Sequence, residues 1–131
     1  MNGKKSNVKT ALMLSREAYK QYNPFFHLAR KKNDVQDRYK RAYKTAKTVA
    51  GLLRNKYQAN KVYIFGSLSD INYFTEWSDI DLAVAGIQSS HFYKAVADVE
   101  HFNQEFEIDL IDLSDCNKKI KQSVESFGVE I

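Results

Sequence analysis

Two hydrophobic periods divide this chain. Up to residue 60 the apolar residues recur every three or four positions, as on a helix with one buried face. Beyond it, short runs alternate with a period of two, as on half-buried strands. Residues 1–5 carry no stripe and read as disordered. Over residues 6–22 the stripe of Val8, Ala11, Leu12, Ala18, Tyr19 and Tyr22 predicts a first helix. Asn23-Pro24 breaks it, because proline lacks an amide and restrains the residue before it, and a short helical turn over residues 25–31 follows. The clearest stripe is Val35, Tyr39, Ala42, Tyr43, Ala46, Val49, Ala50, Leu53 and Tyr57. It predicts a second, long helix with Asn33 or Asp34 as its cap. The opposite face is assigned Arg38, Lys40, Arg41, Lys44, Lys47, Arg54 and Lys56, a charge run of the kind that usually faces solvent.

After Gln58-Ala59-Asn60, strands are predicted over residues 61–65, 79–85 and 107–113. Phe92, Ala95, Val96, Val99 and Phe102 form an amphipathic helix between the last two, with Ser89 or Ser90 as its cap. Ser114-Asp115 is expected to cap a final helix running to about Phe127, which Gly128 ends. The order is helices, strand, loop, strand, helix, strand, helix. That pattern favours an α+β fold, a small mixed sheet with helices packed largely on one face. A length of 131 residues allows one compact domain, divided here into a basic helical extension over 1–60 and a core over 61–131.

Charge sharpens that division. The net charge is +4, but residues 1–60 carry fifteen Lys and Arg against three Asp and Glu, while residues 61–131 carry five against thirteen. The split is that of a solvated basic arm beside an acidic body. It is equally that of a basic half attracting phosphate, nucleic acid or an acidic partner, beside an acidic half that concentrates divalent metal. No apolar run is long enough to span a bilayer, and the start lacks the apolar stretch of a secretory signal. The lone Cys116 excludes an internal disulfide and a cysteine-based zinc site. A reducing cytoplasm is the expected setting.

Alternation puts Asp79 and Asp81 on one face of their strand, with Ile80, Leu82 and Val84 on the other. Asp109 sits on the third strand between Ile108 and Leu110. If the second and third strands are neighbours, three carboxylates converge. Like charges so placed raise each other's pKa, and a divalent cation relieves that cost. Hard oxygen ligands suit magnesium or manganese shared with substrate phosphates. Taken alone, an Asp-x-Asp more often only solubilises a sheet face. Gly66-Ser67 follows the first strand, where glycine lets the backbone approach a ligand and a hydroxyl with neighbouring amides can hold phosphate oxygens. Taken alone it is an ordinary strand-ending turn, leading into a loop over residues 68–77. The lysine of a P-loop is missing, as are the ligand series and glycine of an EF-hand. His27, His91 and His101 have no metal-ligand spacing, Cys116 is structural, and Glu107 and Asp112 are not assigned to the metal.

Phe65-Gly66-Ser67, then eleven residues, then Asp79-Ile80-Asp81, then Asp109 on a later strand together resemble the signature of the nucleotidyltransferase superfamily related to DNA polymerase beta. Ser78-Asp79-Ile80-Asp81-Leu82-Ala83-Val84 in so short a chain looks most like the minimal nucleotidyltransferases of prokaryotes. The resemblance covers residues 61–131, including the closing Gly128-Val129-Glu130-Ile131. It implies the polymerase beta-like fold, with Asp79 and Asp81 binding two magnesium ions. Asp109 would share one of them and help activate an attacking hydroxyl, and Gly66 and Ser67 would cradle a triphosphate. The implied reaction is in-line attack on the α-phosphorus with release of pyrophosphate. Many minimal members are antitoxins encoded beside a helical HEPN ribonuclease, and some transfer AMP from ATP to a tyrosine of that toxin. The resemblance therefore implies ATP as substrate and a HEPN-type toxin as partner and acceptor. The chain departs from the pattern at Leu68-Ser69-Asp70-Ile71-Asn72, where many members carry an arginine and a second glycine. Other acceptors stay open, a small aminoglycoside-like alcohol or an RNA end among them, as does oligomerisation. A binding protein that neutralises its partner by contact, and a nucleic-acid-binding module, are the alternatives.

Overall fold

The computed structural model describes the backbone of residues 24–131 and the side chains of residues 33–131. The disorder expected over residues 1–5 and the helix expected over 6–22 lie outside the described residues. A single helix, α1 (Pro24–Tyr57), replaces the short turn and separate long helix that were expected. Nothing between Pro24 and Asp34 stops a helix. Pro24 stands at its first position, where the missing amide is not needed. Asn33 and Asp34 are exposed positions within α1 and do not cap it. With 34 residues, α1 is about 51 Å long at 1.5 Å per residue.

Beyond α1 come β1 (Lys61–Phe65), a 3-10 turn (Gly66–Ser69), β2 (Ile80–Ala85), α2 (Ser89–Glu100), β3 (Ile108–Asp112), α3 (Lys118–Phe127) and β4 (Val129–Glu130). The sheet order is β3-β2-β1-β4. β1 is antiparallel to both β2 and β4, whereas β2 and β3 run parallel with α2 as their crossover. The short β4 was not expected as a strand. It forms because Gly128 ends α3, its amide donating to Val124 O at 2.8 Å, and the chain then pairs Val129 with Ile64 and Glu130 with Tyr63.

Two further expected caps differ. α2 starts at Ser89 without a side-chain cap, and Gln88 occupies the N-cap position. α3 starts later than expected and is capped by Asn117, whose side chain accepts from the Lys119 amide at 2.7 Å. Ser114 lies instead in the turn after β3, its amide and hydroxyl both donating to Asp112 Oδ1, at 3.0 and 2.7 Å.

Alternation sorts the strands between two helical layers. Val62, Ile64, Ile80, Leu82, Val84, Ile108 and Leu110 pack against Ala42, Ala46, Val49, Ala50 and Leu53 of α1 and Ala95 and Val99 of α2. The other face is lighter: Ala83, Leu113 and Val124 of α3, with Tyr63, Phe65, Ile111 and Cys116 half-buried around them. Two of the three described helices thus cover one face, the mixed α+β arrangement that the pattern predicted. The second half of α1 packs into the main core.

A polar contact joins the end of α1 to α2. Lys56 Nζ lies 2.7 Å from Asp98 Oδ2, and the Tyr57 hydroxyl donates to the same oxygen. These hydrogen bonds, Lys56 first, hold the Asp98 carboxyl below its ordinary value. Because the folded state favours the ionised form, this contribution is complete above the unfolded carboxylate pKa of about 3.9 and is lost as pH falls through the lower folded value. Acid unfolding of wild type and Asp98→Asn should therefore converge below about pH 4, with wild type more stable above it; a constant difference across that range would contradict this. In the core, Leu53→Ala should cost about 2–5 kcal/mol in urea unfolding, whereas Tyr93→Ala, at an exposed position, should change stability by less than about 0.5 kcal/mol.

Candidate active site

The parallel ladder pairs Ile80 with Ile108, Asp81 with Asp109 and Leu82 with Leu110. Ile80, Leu82, Ile108 and Leu110 are buried under α1 and α2, so the same alternation turns Asp81 and Asp109 together to the opposite face. On β1 the partner of Asp81 is Phe65, and Gly66 follows directly. Asp109, Asp81 and the Phe65-Gly66 bend therefore stand in one row across three strands. Gly66 has φ +69, and a Cβ built there would lie 2.6 Å from Asp81 Oδ2. Only glycine lets the backbone bend so close to that carboxylate.

Asp79 lies just before β2 rather than within it, and is half-buried. The Ile80 amide donates to Glu107 O at 3.0 Å, which starts the pairing immediately after Asp79. Among the described residues no group of three or more His, Cys, Asp or Glu is already gathered closely enough to hold a metal ion. What the fold supplies is an in-register pair, a third acid one step ahead on the same chain, and an open backbone approach at Gly66. A donor set of these carboxylate oxygens would fit magnesium or manganese and not a soft metal.

The turn after β1 is anchored by Leu68, which is fully buried, and closed by Ser69 Oγ donating to Gly66 O at 2.6 Å. Ser67 is half-buried within it. Asp70, which stands in the segment that departs from the family pattern, accepts the Asn72 amide at 2.9 Å. Further on, Ser78 Oγ accepts the Thr75 amide at 2.8 Å, Thr75 Oγ1 accepts the Trp77 amide at 3.1 Å, and the Ser78 amide returns to Thr75 O at 3.2 Å. This knot ends on the residue before Asp79.

Arg38 was expected on the wet face of its helix and is not there. Its side chain is 19% exposed, its guanidinium lies 4.5 Å from the centre of the Phe106 ring, and Nη2 donates to Ser78 O at 2.9 Å. Burial pushes the guanidinium below its ordinary value, with the Glu105 charge opposing. The helical period does contain the signal: Arg38 is three residues after Val35 and four before Ala42, inside the apolar stripe. The partners of Thr75 and Ser78 had no such mark. Glu107 is exposed, Asp112 bonds Ser114, and the Cys116 thiol donates to Leu113 O at 3.6 Å in the lighter core. His91 and His101 are exposed, while the side chain of His27 lies outside those described.

Gly66→Ala places a side chain at positive φ, costing about 1–2 kcal/mol, and pushes against Asp81. Urea unfolding should show that loss; unchanged stability would mean that the bend does not need its left-handed conformation.

The sequence model of the family described as polymerase beta, nucleotidyltransferase, matches residues 47–131, more than half of the chain. No curated protein matches. Three similar solved structures come from toxin–antitoxin complexes. A mutant MntA toxin–antitoxin complex has 26% identity and a TM-score of 0.52, covering 65% of this chain and 69% of that one. A toxin–antitoxin with AMP-PNP has 24% identity and a TM-score of 0.53, covering 65% and 70%. A tri-AMPylated Shewanella oneidensis HEPN toxin in complex with MNT antitoxin has 22% identity and a TM-score of 0.51, covering 68% and 70%. With its acids in register beside a glycine bend and the family model spanning them, the chain belongs to the polymerase beta nucleotidyltransferase family, in the fold shared with the MNT antitoxin structures.

Proposed function

We propose that the protein is a metal-dependent nucleotidyltransferase that moves AMP from ATP to a hydroxyl, a tyrosine of a HEPN-type toxin, and so acts as an antitoxin. The observation that carries this is the Asp81–Asp109 register beside Gly66. Asp79, Asp81 and Asp109 would hold magnesium or manganese, which when bound neutralises the triphosphate and the departing pyrophosphate. The backbone of Gly66 and the Ser67 hydroxyl would hold triphosphate oxygens at the end of β1. Asp109 would take the proton of the acceptor hydroxyl, whose oxygen bonds to the α-phosphorus as the bond to the bridging oxygen breaks and pyrophosphate leaves with that electron pair. A toxin as acceptor and the antitoxin role are supported by the toxin–antitoxin complexes to which this fold is similar, one of which contains an AMPylated toxin.

A second role, neutralisation by contact alone, has its own support. Tyr39, Lys40, Tyr43, Lys44 and Lys47 line a groove of about 540 Å³ on α1, and none of these lysines forms an ion pair among the described residues. Such a surface suits an acidic partner. No described helix is long and apolar enough to cross a membrane.

The test is label transfer from α-labelled ATP to a co-expressed HEPN-type toxin with magnesium present. Wild type should label the toxin, and Asp81→Asn should lose roughly 100-fold or more of the rate while remaining folded, the several kcal/mol that metal charge supplies. Equal labelling by Asp81→Asn would overturn the enzymatic proposal. Protection from toxicity by an unlabelling variant would favour contact alone.

A further inference from the structure

We propose that Arg38 is a positioning residue for the acidic site, joining from α1 the two chain segments that deliver its carboxylates. The inference rests on the nucleotidyl-transfer proposal. Asp81 and Asp109 are fixed by the β2–β3 ladder itself. Asp79 lies just outside that ladder, so its place depends also on what holds Ser78. One holder is local, the Thr75–Ser78 knot. The other comes from forty residues away, where Arg38 Nη2 donates to Ser78 O at 2.9 Å.

The same guanidinium reaches the approach to β3. It stacks over Phe106, which lies two residues before the strand, and Nη1 is 3.9 Å from Glu105 Oε2. Glu105 is itself gripped by Arg41, whose Nε and Nη2 lie 3.0 and 2.8 Å from that oxygen. Asp79 and Glu76 both lie within the field of Arg38. A planar, multi-donor cation suits this position, stacking flat on a ring while its edge donates to a carbonyl and faces a carboxylate; a lysine ammonium cannot do both. Loss of Arg38 would leave the sheet register intact and release Asp79 from its fixed relation to Asp81 and Asp109.

Trp77 reports on this directly, as the only tryptophan in the chain and the neighbour of Ser78. The experiment compares full-length wild type, Arg38→Gln and Arg38→Lys, with Glu105→Gln as a milder variant should either arginine substitution fold poorly. Measured are kcat and KM for ATP, Mn²⁺ affinity by electron paramagnetic resonance without nucleotide, and acrylamide quenching of Trp77. Arg38→Gln should lower kcat by about 10–100-fold, the range for removing a group that orients a ligand, with KM for ATP changing less than about threefold. It should also weaken Mn²⁺ binding and raise Trp77 quenching, and Arg38→Lys should resemble it. Glu105→Gln should shift each readout the same way by less. A lower melting temperature with kcat, Mn²⁺ affinity and quenching unchanged would overturn the proposal and leave Arg38 a stabilising contact. Full rescue by lysine would overturn the forked geometry. A wild type that binds Mn²⁺ but transfers nothing would refute the catalytic proposal instead, while Mn²⁺ affinity and quenching would still decide whether Arg38 positions Asp79.

Discussion

The parallel pairing of β2 with β3, residue for residue from Ile80 with Ile108 to Val84 with Asp112, is the constraint on which the candidate site depends. A strand exposes alternate residues to opposite faces, and a slip of one position would exchange the faces entirely. Burial of Ile80, Leu82, Ile108 and Leu110 under α1 and α2 forbids that slip. The hydrophobic core thus sets the acid pair, since the residues between the buried ones must face the other way. An acid pair set side by side is a feature that apolar packing does not require. The glycine bend against Asp81 adds a second feature that packing does not require.

The helix α1 contributes at two levels. Its second half supplies Ala42, Ala46, Val49, Ala50 and Leu53 to the main core, small residues that bring the helix close to the sheet. Before that half, Arg38 and Arg41 reach across to Ser78 and Glu105, at the entrances of β2 and β3. Lys40, Lys44 and Lys47 remain on a separate side facing solvent. The basic stretch therefore has two fates: some of its charge is spent inside the fold, and some stays on the surface.

Much of this was legible in the residues. The change from a helical to a two-residue period located β1, β2 and β3 to within one residue, and alternation alone put Asp81 on the face opposite Ile80 and Leu82, while Asp79 lies just before the strand. That β2 and β3 would be adjacent was conditional, because strand order depends on contacts between distant residues. The turn over residues 25–31 and the long helix after it were read as separate because Asn33 and Asp34 resemble caps, although both sit inside α1. The cap of the last helix was placed too early because the turn after β3, with Ser114 bonded to Asp112, delays the helix to Lys118. Arg38 was placed on the wrong face because charge was given more weight than its position in the stripe. β4 was missed because two residues show no period.

On the proposed function, Asp81 and Asp109 act together on one divalent cation. Mn²⁺ titration monitored by electron paramagnetic resonance, on wild type, Asp81→Asn, Asp109→Asn and the double variant, is the decisive measurement. Strong coupling is predicted: either single variant should lose most of the affinity, and combining them should cost little more. Wild-type affinity in all three variants, or losses that simply add, would contradict a shared ion.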